Sequence, residues 1–99
     1  MLNITSKQRA FLRSMCNTMD VTLFIGKEGL EEHILKEADI QLEARELIKC
    51  AIQRGADVTA RDACGIIADE LDAAPVQTIG SKFCLYRPHR KKDPTIILP

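Results

Sequence analysis

Gly26, Lys27, Glu28 and Gly29 form a G-x-x-G loop, which is the feature of this sequence with the clearest chemical meaning. The loop follows a β-branched and aromatic run at residues 21–25 and precedes an acidic segment with helical spacing. Glycines let the backbone approach a ligand closely, and the free amides at the start of a helix favour a phosphate. Lys27 adds a mobile cation, whereas Glu28 opposes an anion. The pattern therefore indicates either a phosphate-binding loop or a plain turn between a strand and a helix.

Basic residues elsewhere in the chain could extend a phosphate-binding surface. The first helical segment carries cations outside its apolar stripe, and a basic segment follows the only tyrosine. Clustered Lys and Arg give salt-dependent affinity for phosphates, and an aromatic ring can stack on a base. We therefore expect a surface that recognises the shape of RNA, although a charge run at the end of a chain can also be simply solvated. The candidate residues outside the loop are Lys7, Arg9, Arg13, Tyr86, Arg87, Arg90, Lys91 and Lys92.

The cysteines and histidines form no recognisable catalytic or metal-binding motif. Cys16, Cys50, Cys64 and Cys84 include no C-x-x-C pair, and each lies in an apolar run. We expect them to be buried thiols in a reducing compartment, with no metal site. No nucleophile motif or Walker loop is present, so the sequence predicts no enzyme and no cofactor.

The balanced net charge conceals an uneven distribution along the chain. The 14 basic and 14 acidic residues cancel, but residues 1–27, 47–56 and 73–99 are net basic while residues 28–46 and 57–72 are net acidic. If the basic segments meet in the fold, they form a polyanion-binding face, and the acidic segments limit unspecific binding elsewhere.

The hydrophobic pattern predicts one α/β domain over residues 1–99. Helical spacing and strand-like runs alternate in the order α-β-α-β-α-β-β, with a hairpin at Gly80-Ser81-Lys82. This order predicts a two-layer sandwich with a mixed four-stranded sheet. The helices are expected at about residues 5–18, 30–45 and 59–72, and the strands at 21–25, 46–53, 76–79 and 83–87. A basic tail spans residues 88–99, and its apolar residues 96–98 leave open whether it adds an edge strand.

The sequence gives no sign of a membrane segment. No stretch approaches the roughly 18 consecutive apolar residues that a spanning helix needs, and the first residues lack the apolar core of a signal peptide. We therefore expect a cytoplasmic protein.

Three motifs resemble one known family in their order and spacing. They are V-T-L-F-I-G-K-E-G-L, E-L-I-K-C-A-I and V-Q-T-I-G-S-K-F-C-L-Y-R-P. Over residues 4–88 the chain resembles a stand-alone CRM domain (chloroplast RNA splicing and ribosome maturation) of the YhbY-like type.

The resemblance implies a fold similar to the C-terminal domain of translation initiation factor three, with RNA bound at a G-x-x-G loop as in KH domains. It adds Lys49 and Lys82 to the RNA-binding residues and implies no catalytic residue or obligatory cofactor. Stand-alone prokaryotic members are associated with precursors of the large ribosomal subunit. We therefore expect a monomer that binds structured RNA, ribosomal RNA in particular, within a pre-ribosomal particle and assists RNA folding or assembly.

A second hypothesis uses the acidic segments instead. Glu31, Glu32 and Asp39 lie on the second predicted helix and could bind a basic partner such as a ribosomal protein. Charge reversal separates the two hypotheses, because reversing these acids should affect only the protein-binding module.

Overall fold

The computed structural model describes all 99 residues and contains three helices and four strands. The predicted α/β class and the predicted order of elements are confirmed. None of the helices is long and apolar enough to span a membrane. In chain order the elements are α1 (Ser6–Cys16), β1 (Leu23–Ile25), α2 (Glu32–Arg45), β2 (Leu47–Ile52), α3 (Ala60–Leu71), β3 (Ala74–Ile79) and β4 (Lys82–Tyr86).

The four strands form one mixed sheet, as the sequence predicts, and their order across the sheet is β1-β2-β4-β3. β1 and β2 are parallel, because α2 carries the chain back between them, and the other neighbours are antiparallel. Ile52 N donates a hydrogen bond to Ser81 O at 2.8 Å, so the β3–β4 turn lies where β2 ends. We call this edge the loop end of the sheet. It comprises residues 26–29, 53–55 and 80–82.

Helices cover both faces of the sheet, and the prediction of two layers is wrong in this respect. Ile48 and Cys50 pack in a core formed with α2 and α3, whereas Leu47 packs with Leu12 and Cys16 of α1 on the other face. β2 therefore has buried apolar side chains on both of its faces, as expected of a central strand covered twice. The hydrophobic spacing predicts α1 but does not specify the face of the sheet on which it packs.

Polar caps define where the helices begin. Thr5 accepts a hydrogen bond from Gln8 N, and the Gln8 side chain accepts one from Thr5 N, which is a complete capping box at α1. Thr59 caps α3, because its side chain accepts a hydrogen bond from Asp62 N at 3.1 Å.

β3 begins earlier than the pattern predicts. The sequence predicts a break at Ala74 and Pro75 between the third helix and a strand that begins at Val76, yet both residues belong to the strand. Proline is tolerated here because β3 is at the edge of the sheet, and a register irregularity follows between Pro75 and Gln77.

The tail does not add a strand to the sheet. After Tyr86 the chain passes the end of α2 and returns to the α1 face, where Ile96 and Leu98 pack against the smaller core. The amides of Thr95 and Ile96 each donate to Glu46 Oε1 at 2.8 Å. One buried carboxylate therefore anchors the tail.

Candidate RNA interface

The G-x-x-G loop is a tight turn that leads into α2. Gly29 N donates to Gly26 O at 3.0 Å, and Gly29 has a φ of 72°, a region that favours glycine. Glu31, the N-cap residue of α2, makes no side-chain hydrogen bond to the first amides of the helix. Ile34 N donates to Glu31 O at 3.0 Å, so the amides of Glu32 and His33 remain available to an anion at the positive end of the helix dipole.

The two loops that follow the parallel strands lie against each other. Gln53 N donates to Ile25 O at 2.8 Å. A methyl group added at Gly55 would meet Cε of Lys27 at 3.4 Å, so the lysine chain lies over this glycine. Arg54 lies in the same loop, is exposed and has no ion-pair partner.

Sequence reasoning missed Arg54 as a site residue. The signal was available, because the carboxyl ends of neighbouring parallel strands lie at one edge of a sheet. The residues that follow β1 and β2 must therefore be neighbours, and a cation in either loop belongs to the same surface.

Lys82 adds a further cation at the loop end, whereas Lys49 has a mainly structural contact. Lys82 lies opposite Ala51 of β2, is exposed and has no ion-pair partner. Nζ of Lys49 donates to Cys16 O at 3.2 Å and so stabilises the C-terminus of α1. Lys27, Arg54 and Lys82 are the exposed cations of the loop end.

The cations of α1 do not share one face. Arg9 and Arg13 are one turn apart, on the flank toward β3, where Nε of Arg9 donates to Pro75 O at 3.2 Å. Asn17 continues this flank and accepts a hydrogen bond from the Gln77 side chain at 3.3 Å. Lys7 lies about 120° around the helix from Arg13, by the 3.6-residue repeat. The flank of Arg9 and Arg13 therefore leads toward the sheet, and Lys7 faces elsewhere.

Tyr86 and Arg87 are buried, which corrects their assignment to an RNA-binding surface. Each of these residues is only 3% exposed to solvent. Tyr86 packs in the α1-side core, and burial raises the pKa of its hydroxyl. Nη1 of Arg87 lies 2.7 Å from Oδ1 of Asp39. Neither side chain can contact RNA without unfolding this region, because Tyr86 is packed in the α1-side core and Arg87 is held against Asp39 of α2.

The basic tail residues Arg90, Lys91 and Lys92 lie at the opposite end of the sheet from the G-x-x-G loop. Glu43 accepts hydrogen bonds from the backbone N–H of Arg90 at 3.1 Å and of Lys91 at 3.2 Å. A cleft of about 510 Å³ separates the tail from α2, and acidic side chains of α2 line it together with the tail cations. The structure thus separates the tail from the loop end, and the predicted single surface divides into two.

The acidic side chains near the tail serve contacts within the chain. Burial acts to raise the pKa of Glu43, but the two tail amides and the charges of Arg87 and His89 outweigh it and lower the pKa. Asp39 is held by Arg87. These internal contacts leave less of the acidic α2 surface free for a basic partner.

Two acids at the start of α2 have exposed basic partners. Glu31 lies 3.2 Å from the His33 ring, and Glu32 lies 3.4 Å from Nζ of Lys36. Exposed pairs of this kind contribute little to stability. Glu28 is exposed in the loop and has no ion-pair partner, so it remains the one acid directly beside Lys27.

The four cysteines are free and buried. Burial raises the pKa of Cys50 to about 12 and that of Cys64 to about 11. They therefore act as small apolar side chains in the two cores. No group of three or more His, Cys, Asp or Glu side chains is placed to hold a metal ion.

Comparison with known proteins agrees with this architecture. The Bacillus subtilis (strain 168) protein named "Probable RNA-binding protein YqeI" is 32% identical over 96 residues, covering 97% of this chain and 99% of that protein. A Haemophilus influenzae protein named "RNA-binding protein" is 34% identical over 88 residues, covering 89% of each chain. The solution structure of the hypothetical protein SAV1595 from Staphylococcus aureus matches with a TM-score of 0.72 and 35% identity over the whole of both chains. The model of the CRS1 / YhbY (CRM) domain matches residues 4–87. The chain therefore belongs to the CRS1/YhbY (CRM) domain family.

Proposed function

We propose that this protein binds structured RNA through the loop end of its sheet. The observation that carries the proposal is the convergence of Lys27, Arg54 and Lys82 beside the G-x-x-G loop, all exposed and none in an ion pair. Three cations and the free amides of α2 suit the phosphates of a folded backbone. The relatives named as RNA-binding proteins support RNA as the polyanion.

The flank of α1 extends this surface along one face of the molecule. Arg9 and Arg13 lie on the side of α1 that leads to β3 and then to the hairpin that carries Lys82. Such a surface contacts phosphates more than base edges, so it recognises the shape of RNA with little sequence preference.

We further propose that the RNA is ribosomal and that the protein acts as a cytoplasmic monomer on precursors of the large subunit, without catalysis. The resemblance to stand-alone CRM proteins supports the ribosomal assignment. The two edge strands of the sheet support a monomeric state, because β1 has only three residues and β3 carries Pro75 and a register irregularity. Short or interrupted edge strands resist pairing with a second copy.

Binding to RNA fragments tests the first part of the proposal. Fragments of large-subunit ribosomal RNA and a duplex DNA of equal length are titrated with the protein at two salt concentrations. We expect salt-sensitive binding that favours RNA. Lys27→Glu, Arg54→Glu and Lys82→Glu should each weaken binding several-fold, and loss of one phosphate contact should lower the salt slope by about 1.

Lys92→Glu is the matched control, since it reverses one exposed lysine at the opposite end of the sheet. Unchanged affinity in this variant, with weakened binding in the other three, would support the loop end. Weakened binding in Lys92→Glu alone would move the interface to the tail and overturn the proposal. Co-sedimentation with large-subunit precursors in a cell extract tests the ribosomal assignment, and migration only in the free fraction would contradict it.

A further inference from the structure

The half of the sheet next to the loop end is not covered by α1. The helix ends at Cys16, whose carbonyl oxygen accepts a hydrogen bond from Nζ of Lys49 in β2. The next row of the sheet lies beyond the helix. Its members are paired across all four strands, in the order Phe24, Ala51, Lys82 and Ile79.

Two large apolar side chains in this row are open to solvent. Phe24 is 54% exposed and Ile79 is 64% exposed. The neighbours of Phe24 in its own strand, Leu23 and Ile25, point to the other face and are buried in the larger core. Single exposed apolar residues need no explanation, but an aromatic ring and an isoleucine in one row with a lysine form a defined surface.

Polar groups surround this row on the α1 side. A groove of about 120 Å³ lies beside it and is lined by Asn17, Lys49, Gln77 and Lys82, among others. Asn17 and Gln77 are hydrogen-bonded to each other and offer amide groups to a ligand. No acidic residue belongs to this row or to the Lys49, Cys84 and Gln77 row below it.

We propose that this open half of the sheet binds an unpaired RNA nucleotide whose base stacks on Phe24. The proposal rests on the proposed function and specifies which part of the RNA this face contacts. The charge favours a nucleotide, because Lys82 lies in the row and Lys27 and Arg54 lie at the loop end. Stacking on an aromatic side chain suits any base, since every base has a π face. Three strand spacings make the row about 14 Å long, so nucleotides adjacent to the stacked one can also contact it.

The chain provides a direct spectroscopic test because it contains no tryptophan. Phe24→Trp places the only indole in the row. Titration with a 12-nucleotide single-stranded oligoadenylate should quench its fluorescence as a base stacks on it. Phe11→Trp is the matched control, since Phe11 is 39% exposed on α1 outside the row. Equal quenching of both variants, or of neither, would overturn the proposal.

Affinity for a ribosomal RNA fragment with an unpaired loop gives the second readout. Phe24→Ala should lower affinity by about fivefold or more, from the energy of stacking one base. The salt slope should stay unchanged because no charge is removed, whereas Lys82→Glu should lower it. Phe24→Tyr should retain most of the affinity, and Phe11→Ala should change nothing. Unfolding in urea checks that each variant is folded.

The outcomes separate this proposal from the proposed function. If Lys27→Glu weakens RNA binding while Phe24→Ala leaves it unchanged, the RNA interface stands and the stacking proposal is wrong. If the wild-type chain binds no RNA, both fail. If poly-L-glutamate quenches Phe24→Trp and the oligonucleotide does not, the face binds an acidic polypeptide, and the stacking proposal is again wrong.

Discussion

Arg87, the residue that follows β4, forms a charged hydrogen bond with Asp39 of α2, with Nη1 of Arg87 at 2.7 Å from Oδ1 of Asp39. The arginine is buried, but half of the Asp39 side chain remains exposed. Arg87 also donates to Leu71 O at 3.2 Å, and Arg90 donates to the same oxygen at 2.9 Å. α3 has no basic residue in its last turn, so these two arginines supply the cations that stabilise its C-terminus.

Replacement of Arg87 should therefore affect stability rather than RNA binding. We expect Arg87→Ala to lower the free energy of unfolding by about 2–3 kcal/mol, because it removes charged hydrogen bonds and leaves a cavity in a covered region. Arg90 is exposed and donates to the same oxygen of Leu71. Arg90→Ala should lower the free energy of unfolding by about 0.5 kcal/mol. Urea unfolding measures both values.

RNA affinity measured where Arg87→Ala is fully folded provides the control. It should equal the affinity of the wild-type chain. A stable Arg87→Ala variant with weakened RNA binding would contradict the structural role and return Arg87 to the interface.

Glu46 has a buried carboxylate and an unusual backbone conformation. It is the C-cap residue of α2 with a φ of 67°, a region that favours glycine. Its carboxylate accepts hydrogen bonds from the amides of His89 at 2.9 Å and of Thr95 and Ile96 at 2.8 Å. These bonds to the tail offset the backbone strain, which is of order 1–3 kcal/mol.

Loss of stability in acid should follow from this carboxylate. Burial acts to raise the pKa of Glu46, but the three amides and the nearby His89 outweigh it, so the pKa lies below its ordinary value of 4.5. The unfolded chain therefore binds a proton at higher pH than the folded chain does. The stabilisation is complete above about pH 4.5 and is lost as the pH falls through the lowered pKa.

Glu46→Gln tests this assignment. We expect it to lower the free energy of unfolding by about 1–3 kcal/mol at neutral pH, because an amide is a weaker acceptor and offers one oxygen. The difference from the wild-type chain should shrink as the pH falls below 4.5. Urea unfolding at several pH values measures it. A difference that stays constant with pH would show that the Glu46 charge does not contribute.

Local patterns account for the parts of the fold that the sequence could predict. The spacing of Leu12 and Cys16, the cap at Thr59 and the glycines of the loop each act over a few residues, so the elements and the G-x-x-G turn are predictable. The features that the sequence did not predict depend on contacts between residues far apart in the chain. Nothing near Arg87 in sequence indicates that its partner is Asp39, 48 residues away.

The same limit applies to the tail and to the candidate site. The path of the tail is set by Glu46, which lies 43 to 50 residues before its partners. Phe24 alternates with two buried neighbours, which indicates an outward side chain, but only the position of α1 decides whether that side is covered. Arg54 was predictable from parallel pairing alone.

The buried thiols should be unreactive in the folded protein. Alkylating reagents attack the thiolate, and burial raises the pKa of Cys50 to about 12 and that of Cys64 to about 11. We expect almost no labelling by iodoacetamide at pH 8 in native buffer and labelling of all four cysteines in urea. Mass spectrometry counts the adducts. Rapid labelling of one cysteine under native conditions would show that its core opens.

Two glycines should respond in opposite directions to alanine. Gly65 lies within α3, and a methyl group added there would meet no atom within 4 Å, so Gly65→Ala should stabilise the chain by about 0.5–1 kcal/mol. Gly29 has a φ of 72°, so Gly29→Ala should destabilise it by about 1 kcal/mol despite equally open space.

RNA affinity separates the two glycine variants further. Gly29→Ala strains the turn that presents Lys27 and the first amides of α2, so it should weaken RNA binding several-fold. Gly65→Ala lies on α3, away from the loop end, and should leave affinity unchanged. Thermal unfolding and RNA titration measure the two effects independently. If Gly29→Ala destabilises the protein but binds RNA as well as the wild-type chain, the G-x-x-G loop is a structural turn and the phosphates bind elsewhere.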